Sequence, residues 1–194
     1  MRSRLLPTVT GDRPDPAVAL ASGVPTGADL AAMAQVLASC PAVWAPLAVH
    51  DPEHRVHVRL TAGEGWEAYL ITWPSGHGVE VHDHGDASGA VAVVAGSLVE
   101  LVARRTVRPG AERLVRHRLG AGTVRRVPPG RIHDVVNTGT FPATSIHVYG
   151  PALETMTFYD DELQPVRTER VFAEPPLLAL DEVRARLAAA RTPA

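Results

Sequence analysis

The sequence predicts an all-β fold, a small barrel or sandwich with a helix at either end. Between residues 55 and 159, short β-branched and apolar runs recur with Gly, Pro and Asp between them, the spacing expected of strands in a closed or double-layered sheet. Outside that region the period changes. Leu30, Met33, Val36 and Leu37 make a helical stripe, and residues 177–191 make a second helical pattern. With 194 residues and 45% hydrophobic content, the chain can bury one sizeable core.

In chain order, residues 1–25 are rich in Pro, Gly and Asp without a sustained period, so an extended or mobile arm is expected there, with residues 26–194 as one domain. Asp29 is the expected cap of the first helix, and Cys40 at its end reads as a small buried hydrophobe. Val56, Val58 and Leu60 alternate with His57 and Arg59, a turn follows at residues 62–65, and residues 66–73 return as the second arm of a hairpin. Residues 90–95 form a continuous apolar run, as a strand buried on both faces would. Further strands are expected at 98–107, 112–119, 123–127, 133–136, 144–149 and 155–159. The basic residues of 113–118 and the pair Arg125 and Arg126 suit an outward, solvated strand face. Residues 177–191, with Asp181 and Glu182 early and Arg191 late, complete the chain as a helix.

The formal net charge of -2 offers no electrostatic hold on nucleic acid or an anionic membrane. The single cysteine excludes an internal disulfide and fits a reducing cytoplasm. No stretch reaches about 18 uninterrupted apolar residues, so a soluble cytoplasmic protein is expected.

Two stretches carry the chemistry. In the first, Gly76 to His84, the strand period puts His82 and His84 on one face and Asp83 on the other. In the second, Gly122 to Asn137, the turn Pro128-Pro129-Gly130 ends one strand, and His133 follows it. Three histidines suffice for a first-row metal with open positions.

This spacing resembles the two motifs of the cupin family, which implies a double-stranded β-helix, or jelly-roll, barrel. Gly76, His82, His84 and Gly96 match the first motif, whose glutamate position here holds Ser88 or Gly89; Gly122, Pro128, Gly130, His133 and Asn137 match every term of the second. Without a glutamate ligand, a divalent metal keeps its full charge and has room for a bidentate ligand plus a small molecule such as O₂. A thiolate suits that vacancy, because coordination favours loss of a thiol proton whose ordinary pKa is about 8.5.

More narrowly, WPSGHGVEVHDHGDASG (residues 73–89), IHDVVNTGTFPATSIHVYGPALETMTFYD (132–160) and Arg59 are similar to the cysteine dioxygenase family of thiol dioxygenases. The resemblance implies iron(II) held by His82, His84 and His133, and conversion of a small thiol, L-cysteine first among them, to its sulfinate with both atoms of O₂. It implies a Ser145-His147-Tyr149 hydrogen-bond relay beside the metal, and Arg59 as the holder of the substrate carboxylate with His57 beside it. Some family members join a cysteine to the tyrosine, but that position is Gly89 here. A carboxylate-binding tyrosine is His57, and a Ser-Pro pair is Gly150-Pro151, still compatible with a cis bond. Met156 stands where another branch places a second arginine, which argues against 3-mercaptopropionate. Competing expectations are a dioxygenase of that or a bulkier thiol, and a non-catalytic metal-binding cupin acting as a sensor.

Overall fold

The computed structural model describes residues 25–105, 112–171 and 173–190; the arm expected over residues 1–25 lies outside these apart from Pro25. Its first element, α1 (Gly27–Ala38), starts in a capping box in which Thr26 is the cap and Asp29 the third helical residue. The Asp29 carboxylate accepts from the Thr26 N–H at 2.8 Å, and the Thr26 hydroxyl accepts from the Asp29 N–H at 3.3 Å. The expected cap is therefore displaced by three residues, because threonine and aspartate satisfy each other's free backbone donors. A short α2 (Pro41–Trp44) follows, opened by a proline at its first position, and then a 3-10 turn (Ala45–Leu47).

Eleven strands follow among the described residues: β1 (Val56–Gly63), β2 (Trp66–Trp73), β3 (Gly78–Asp83), β4 (Ser88–Ala95), β5 (Ser97–Arg105), β6 (Glu112–Gly120), β7 (Val124–Val127), β8 (His133–Val136), β9 (Ala143–Gly150), β10 (Thr155–Tyr159) and β11 (Pro165–Arg170). They form two antiparallel sheets, ordered β1-β2-β9-β4-β7 and β11-β10-β3-β8-β5-β6. Consecutive strands alternate between the sheets from β2 to β5, the double-stranded β-helix of a cupin barrel. The strand at β11 escapes the sequence pattern because every one of its residues is exposed and it opens on a proline, both properties of a sheet edge. The last helix, α3 (Leu180–Ala189), starts later than expected. Leu177 and Leu178 instead form a bend beside β1, their N–H groups donating to the Arg59 and Leu60 carbonyls at 2.9 and 3.0 Å.

The five-stranded sheet is covered on both sides, and this settles which residues face the barrel interior. Ala90, Ala92, Ile146 and Val148 pack outward against Leu30, Met33 and Leu37 of α1, with Val183 and Leu187 of α3 in the same cluster. Ile71, Trp73 and Val93 point the other way, into a cluster with Leu98, Leu119 and Val135. Because Ile146 and Val148 belong to the helix-covered face, the pleat turns Ser145, His147 and Tyr149 inward. All eight residues of β9 are buried, as a strand sandwiched between two apolar layers requires.

The motif residues knit the loops together. Gly96 has φ +70°, and a Cβ there would lie 2.7 Å from the Pro142 carbonyl oxygen, so only glycine fits the β4–β5 turn. The Gly130 N–H donates to the Gly85 carbonyl at 2.8 Å, tying the two histidine-bearing loops to each other. Asn137 is fully buried and fully used: its Nδ2 donates to the Trp73 and Phe141 carbonyls at 3.0 and 2.9 Å, and its Oδ1 accepts from the Gly139 N–H at 2.9 Å. The Gly150-Pro151 bond is cis. Arg116, Arg118 and Arg126 are exposed as expected, whereas Arg125 turns inward onto a buried acid, Glu100.

Candidate active site

His82 and His133 sit directly opposite each other on β3 and β8, after a bulge between Val79 and His82 that shifts the register by one residue. His84 lies just past the end of β3. The three rings are all buried, with centroids 4.8 to 5.2 Å apart, and one nitrogen of each lies within 4.8 Å of the others. Asp83, between the two histidines in sequence, points away. It accepts from the Gly85 N–H at 2.8 Å and from the Tyr159 hydroxyl, and thereby holds the turn.

Hydrogen bonds fix which ring nitrogens face inward. His82 Nδ1 lies 2.7 Å from the Glu80 carbonyl, which can only accept, so Nδ1 carries the proton and Nε2 faces the cluster. His133 Nδ1 likewise donates to Glu100 Oε1 at 3.0 Å, and its Nε2 is buried with no partner among the described residues. His82 Nε2 is 3.1 Å from His84 Nε2. Burial, with the neighbouring histidines second, holds His82 down at about 3 and His84 well below the ordinary imidazole value. Buried neutral nitrogens turned toward one another, with His133 Nε2 unpartnered, fit a divalent first-row metal, and His82, His84 and His133 are the residues that would hold it.

Glu100, which is 1% exposed, supports this cluster from behind. One oxygen takes His133 Nδ1, and the other takes Arg125 Nε at 2.8 Å, giving a chain from ring to carboxylate to guanidinium.

A second chain arrives from β9. The Trp73 indole N–H, a donor only, gives its proton to Ser145 Oγ at 2.8 Å. Ser145 Oγ is 2.9 Å from His147 Nε2, and His147 Nδ1 is 3.2 Å from the Tyr149 hydroxyl oxygen. Burial holds His147 neutral at about 3, with the charge of Arg55 the next cause. Ser145 has no other acceptor among the described residues, so its hydroxyl donates to His147 Nε2, and His147 Nδ1–H donates to the Tyr149 oxygen. The order leaves the phenolic proton of Tyr149 free to donate into the cavity. Burial pushes the phenol above its ordinary value, so it keeps that proton. Its ring lies 4.9 Å from that of His84. A Cβ on Gly89 would stand 3.1 Å from Tyr149 Cδ1 and Cε1, so the place of the family's cross-linking cysteine adjoins the ring and holds no sulfur.

Both chains and the histidines open on one cavity of about 350 Å³, with apolar walls including Ile71, Val79, Val135, Leu153 and Met156. Arg59 and His57 line it too. Arg59 Nε lies 2.9 Å from Glu67 Oε2, without good alignment of its N–H, and Arg59 Nη1 donates to the Glu174 carbonyl at 3.1 Å. Glu67 is fully buried; it also accepts from the Leu153 N–H at 2.7 Å and the Tyr69 hydroxyl at 3.1 Å. Four cavity or support residues escaped the sequence reading: Arg55, Trp73 as a donor, Glu67 and Glu100. Arg55 continues the two-residue period of His57 and Arg59, and that period is the signal that could have found it.

The profile of the family "Cysteine dioxygenase type I" matches residues 26–162. The chain belongs to the cysteine dioxygenase type I family. Its relatives include cysteine dioxygenase type 1 of Bos taurus, 25% identical over 139 residues, and that of Rattus norvegicus, 26% identical over 139 residues, each match covering 68% of either chain. Among solved structures, TT1209 from Thermus thermophilus superposes with a TM-score of 0.47 at 22% identity, over 55% of this chain and 92% of that one. No single helix among the described residues is long and apolar enough to cross a membrane.

Proposed function

We propose that the protein is an iron(II)-dependent thiol dioxygenase that converts L-cysteine and O₂ to cysteine sulfinate, RSH + O₂ → RSO₂H. The observation that carries this reading is the shared cavity: three buried imidazoles and the free phenolic proton of Tyr149 face the same space in a chain of this family. The bound iron would supply a redox-active Lewis acid that favours the thiolate and reacts with O₂.

The remaining work falls to the chain's own groups. Tyr149 donates its proton toward the oxidised sulfur end of the substrate, while His147 and Ser145, held by Trp73, keep that proton pointed inward. Ile71, Val79 and Val135 exclude bulk water around the reacting atoms. A guanidinium of the β1 face, where Arg55 and Arg59 both stand with His57 at the mouth, holds the carboxylate. A reducing cytoplasm suits both a thiol substrate and a single buried free cysteine.

The test is iron content and O₂ uptake of the purified protein with L-cysteine, cysteamine and 3-mercaptopropionate, with sulfinate identified by mass. About one iron per chain and fastest uptake with L-cysteine are expected. His82→Ala and His133→Ala should lose iron and turnover together. Wild-type iron content in the double variant would remove the assignment of the site, and preference for 3-mercaptopropionate would remove cysteine.

A further inference from the structure

A groove of about 780 Å³ runs between α1, the edge strand β7 and the turn that follows it, and shares no lining residue with the metal cavity. Arg104, Arg125, Arg126 and Arg131 line it, and no acidic residue does. Strand β7 ends its sheet, so its outer edge has no neighbouring strand. Arg125 and Arg126 leave that strand on opposite faces, and the groove wraps the free edge between them. Among the described residues one carboxylate lies within ion-pair distance of the four, Glu100, which accepts from Arg125 Nε at 2.8 Å. That bond fixes Arg125 as a wall cation, and its Nη2 is buried without a partner. Arg104, Arg126 and Arg131 have no such carboxylate among the described residues. Arg125 and Arg104 both act repulsively on Arg131. A guanidinium stays charged throughout the pH range of a folded protein, so this repulsion is not relieved by proton loss. The net charge of -2 thus conceals a local excess of positive charge in a concave place.

We propose that this groove binds a small phosphate monoester, apart from the metal centre. Guanidinium groups converging from β5, β7 and the loop before β8 suit an oxyanion with several acceptor oxygens and two charges. A bare phosphate would leave most of the groove empty, whereas the wall of Ala31, Ala32, Val124 and Val127 offers apolar contact to an organic body. Gln35 of α1 and Ser88 of β4 add neutral hydrogen-bonding groups for hydroxyls on that body. A polyanion fits less well, because the rest of the chain carries the net negative charge and would repel its further phosphates. The Arg125 Nε stays on Glu100 while the groove fills, so binding asks for no rearrangement at His133.

The experiment measures binding apart from turnover. Iron-loaded wild type, Arg126→Gln, Arg131→Gln, the double variant and Arg131→Lys are titrated calorimetrically under argon with phenyl phosphate, inorganic phosphate and a single-stranded oligonucleotide, at low and matched ionic strength. Melting temperature and iron content are recorded in parallel and should match wild type, since neither side chain lines the metal cavity. Wild type should take one phenyl phosphate per chain, about tenfold more tightly than inorganic phosphate, because the ring finds apolar wall to cover. Arg126→Gln and Arg131→Gln should each weaken that binding by about tenfold, the loss expected for a charge-assisted hydrogen bond. Arg131→Lys should retain most of it, which separates loss of charge from loss of shape. The inference is overturned if wild type shows no saturable binding, or if the double variant binds as tightly as wild type, which would move the anion to the iron. It is equally overturned if inorganic phosphate binds as tightly as the ester, or if the oligonucleotide binds more tightly than phenyl phosphate.

Discussion

Replacing Glu100 by glutamine changes one atom type at the point where the candidate metal centre meets the barrel wall. The carboxylate accepts from His133 Nδ1 at 3.0 Å through one oxygen and from Arg125 Nε at 2.8 Å through the other. A glutamine offers one oxygen and one NH₂ group, so one of these two donors must face another donor. If the oxygen goes to Arg125, the NH₂ faces His133 Nδ1, which must then accept, and the ring proton moves to the Nε2 that would meet the metal. If the oxygen goes to His133, Arg125 loses its acceptor and the ring loses the carboxylate's negative charge. Loss of such a supporting partner weakens metal affinity by about 10- to 100-fold, or roughly 1.4–2.7 kcal/mol. Chelator competition followed by iron analysis reads this directly. At saturating iron the variant should recover most of its kcat, because neither Tyr149 nor the cavity wall is touched. Wild-type iron affinity in Glu100→Gln would refute the claim that the His133–Glu100 bond organises the centre.

Other outcomes follow from the same geometry. Tyr149→Phe should keep iron and slow sulfinate formation by about 10²-fold, the lower range for a lost proton-transfer group; an unchanged rate in stopped-flow or O₂-electrode assays would return Tyr149 to a packing role. Trp73→Phe removes the only donor at the head of the chain that ends on Tyr149, so Ser145 can turn away from His147; kcat should fall about tenfold with iron content unchanged, and a rate equal to wild type would show that the chain needs no fixed direction. Asn137→Ala leaves the buried Trp73 carbonyl and the partly buried Phe141 carbonyl without their donor, a loss of about 2 kcal/mol, and should lower the melting temperature by about 4–8 °C by differential scanning calorimetry. Intact-mass measurement should show no loss of two hydrogens, because Gly89 gives Tyr149 no sulfur to bond.

The histidines and motif glycines were legible because each demands a residue type that nothing else satisfies. Gly96 answers to the Pro142 carbonyl 2.7 Å from its missing Cβ, and His82 and His133 face each other across paired strands. The β1–β2 hairpin and the doubly buried β4 followed from local pattern alone. Arg55, Glu67 and Glu100 were hidden for one shared reason. Charged residues in a strand read as solvated, and only long-range pairing reveals that their face is the inner one. A tryptophan in a strand suggests packing alone, yet the buried Trp73 indole N–H requires an acceptor, and Ser145 on the neighbouring strand is its partner. Thr26 displaced Asp29 as helix cap because the capping box uses both residues and the pattern of apolar positions does not say which of them starts the helix.

The two halves of the candidate site belong to different sheets. His82 and His133 rise from β3 and β8 of the six-stranded layer, whereas Ser145, His147 and Tyr149 rise from β9 of the five-stranded layer. What aligns them is the apolar filling between the layers, Ile71, Trp73 and Val93 against Leu98, Leu119 and Val135. Warming that loosens this filling lets one layer slide on the other while each keeps its own backbone ladder. The phenol then drifts from the histidines before any histidine leaves its strand. Heat inactivation should therefore run ahead of metal release, with an interval of temperature in which the protein holds its iron, keeps its strands and has stopped turning over.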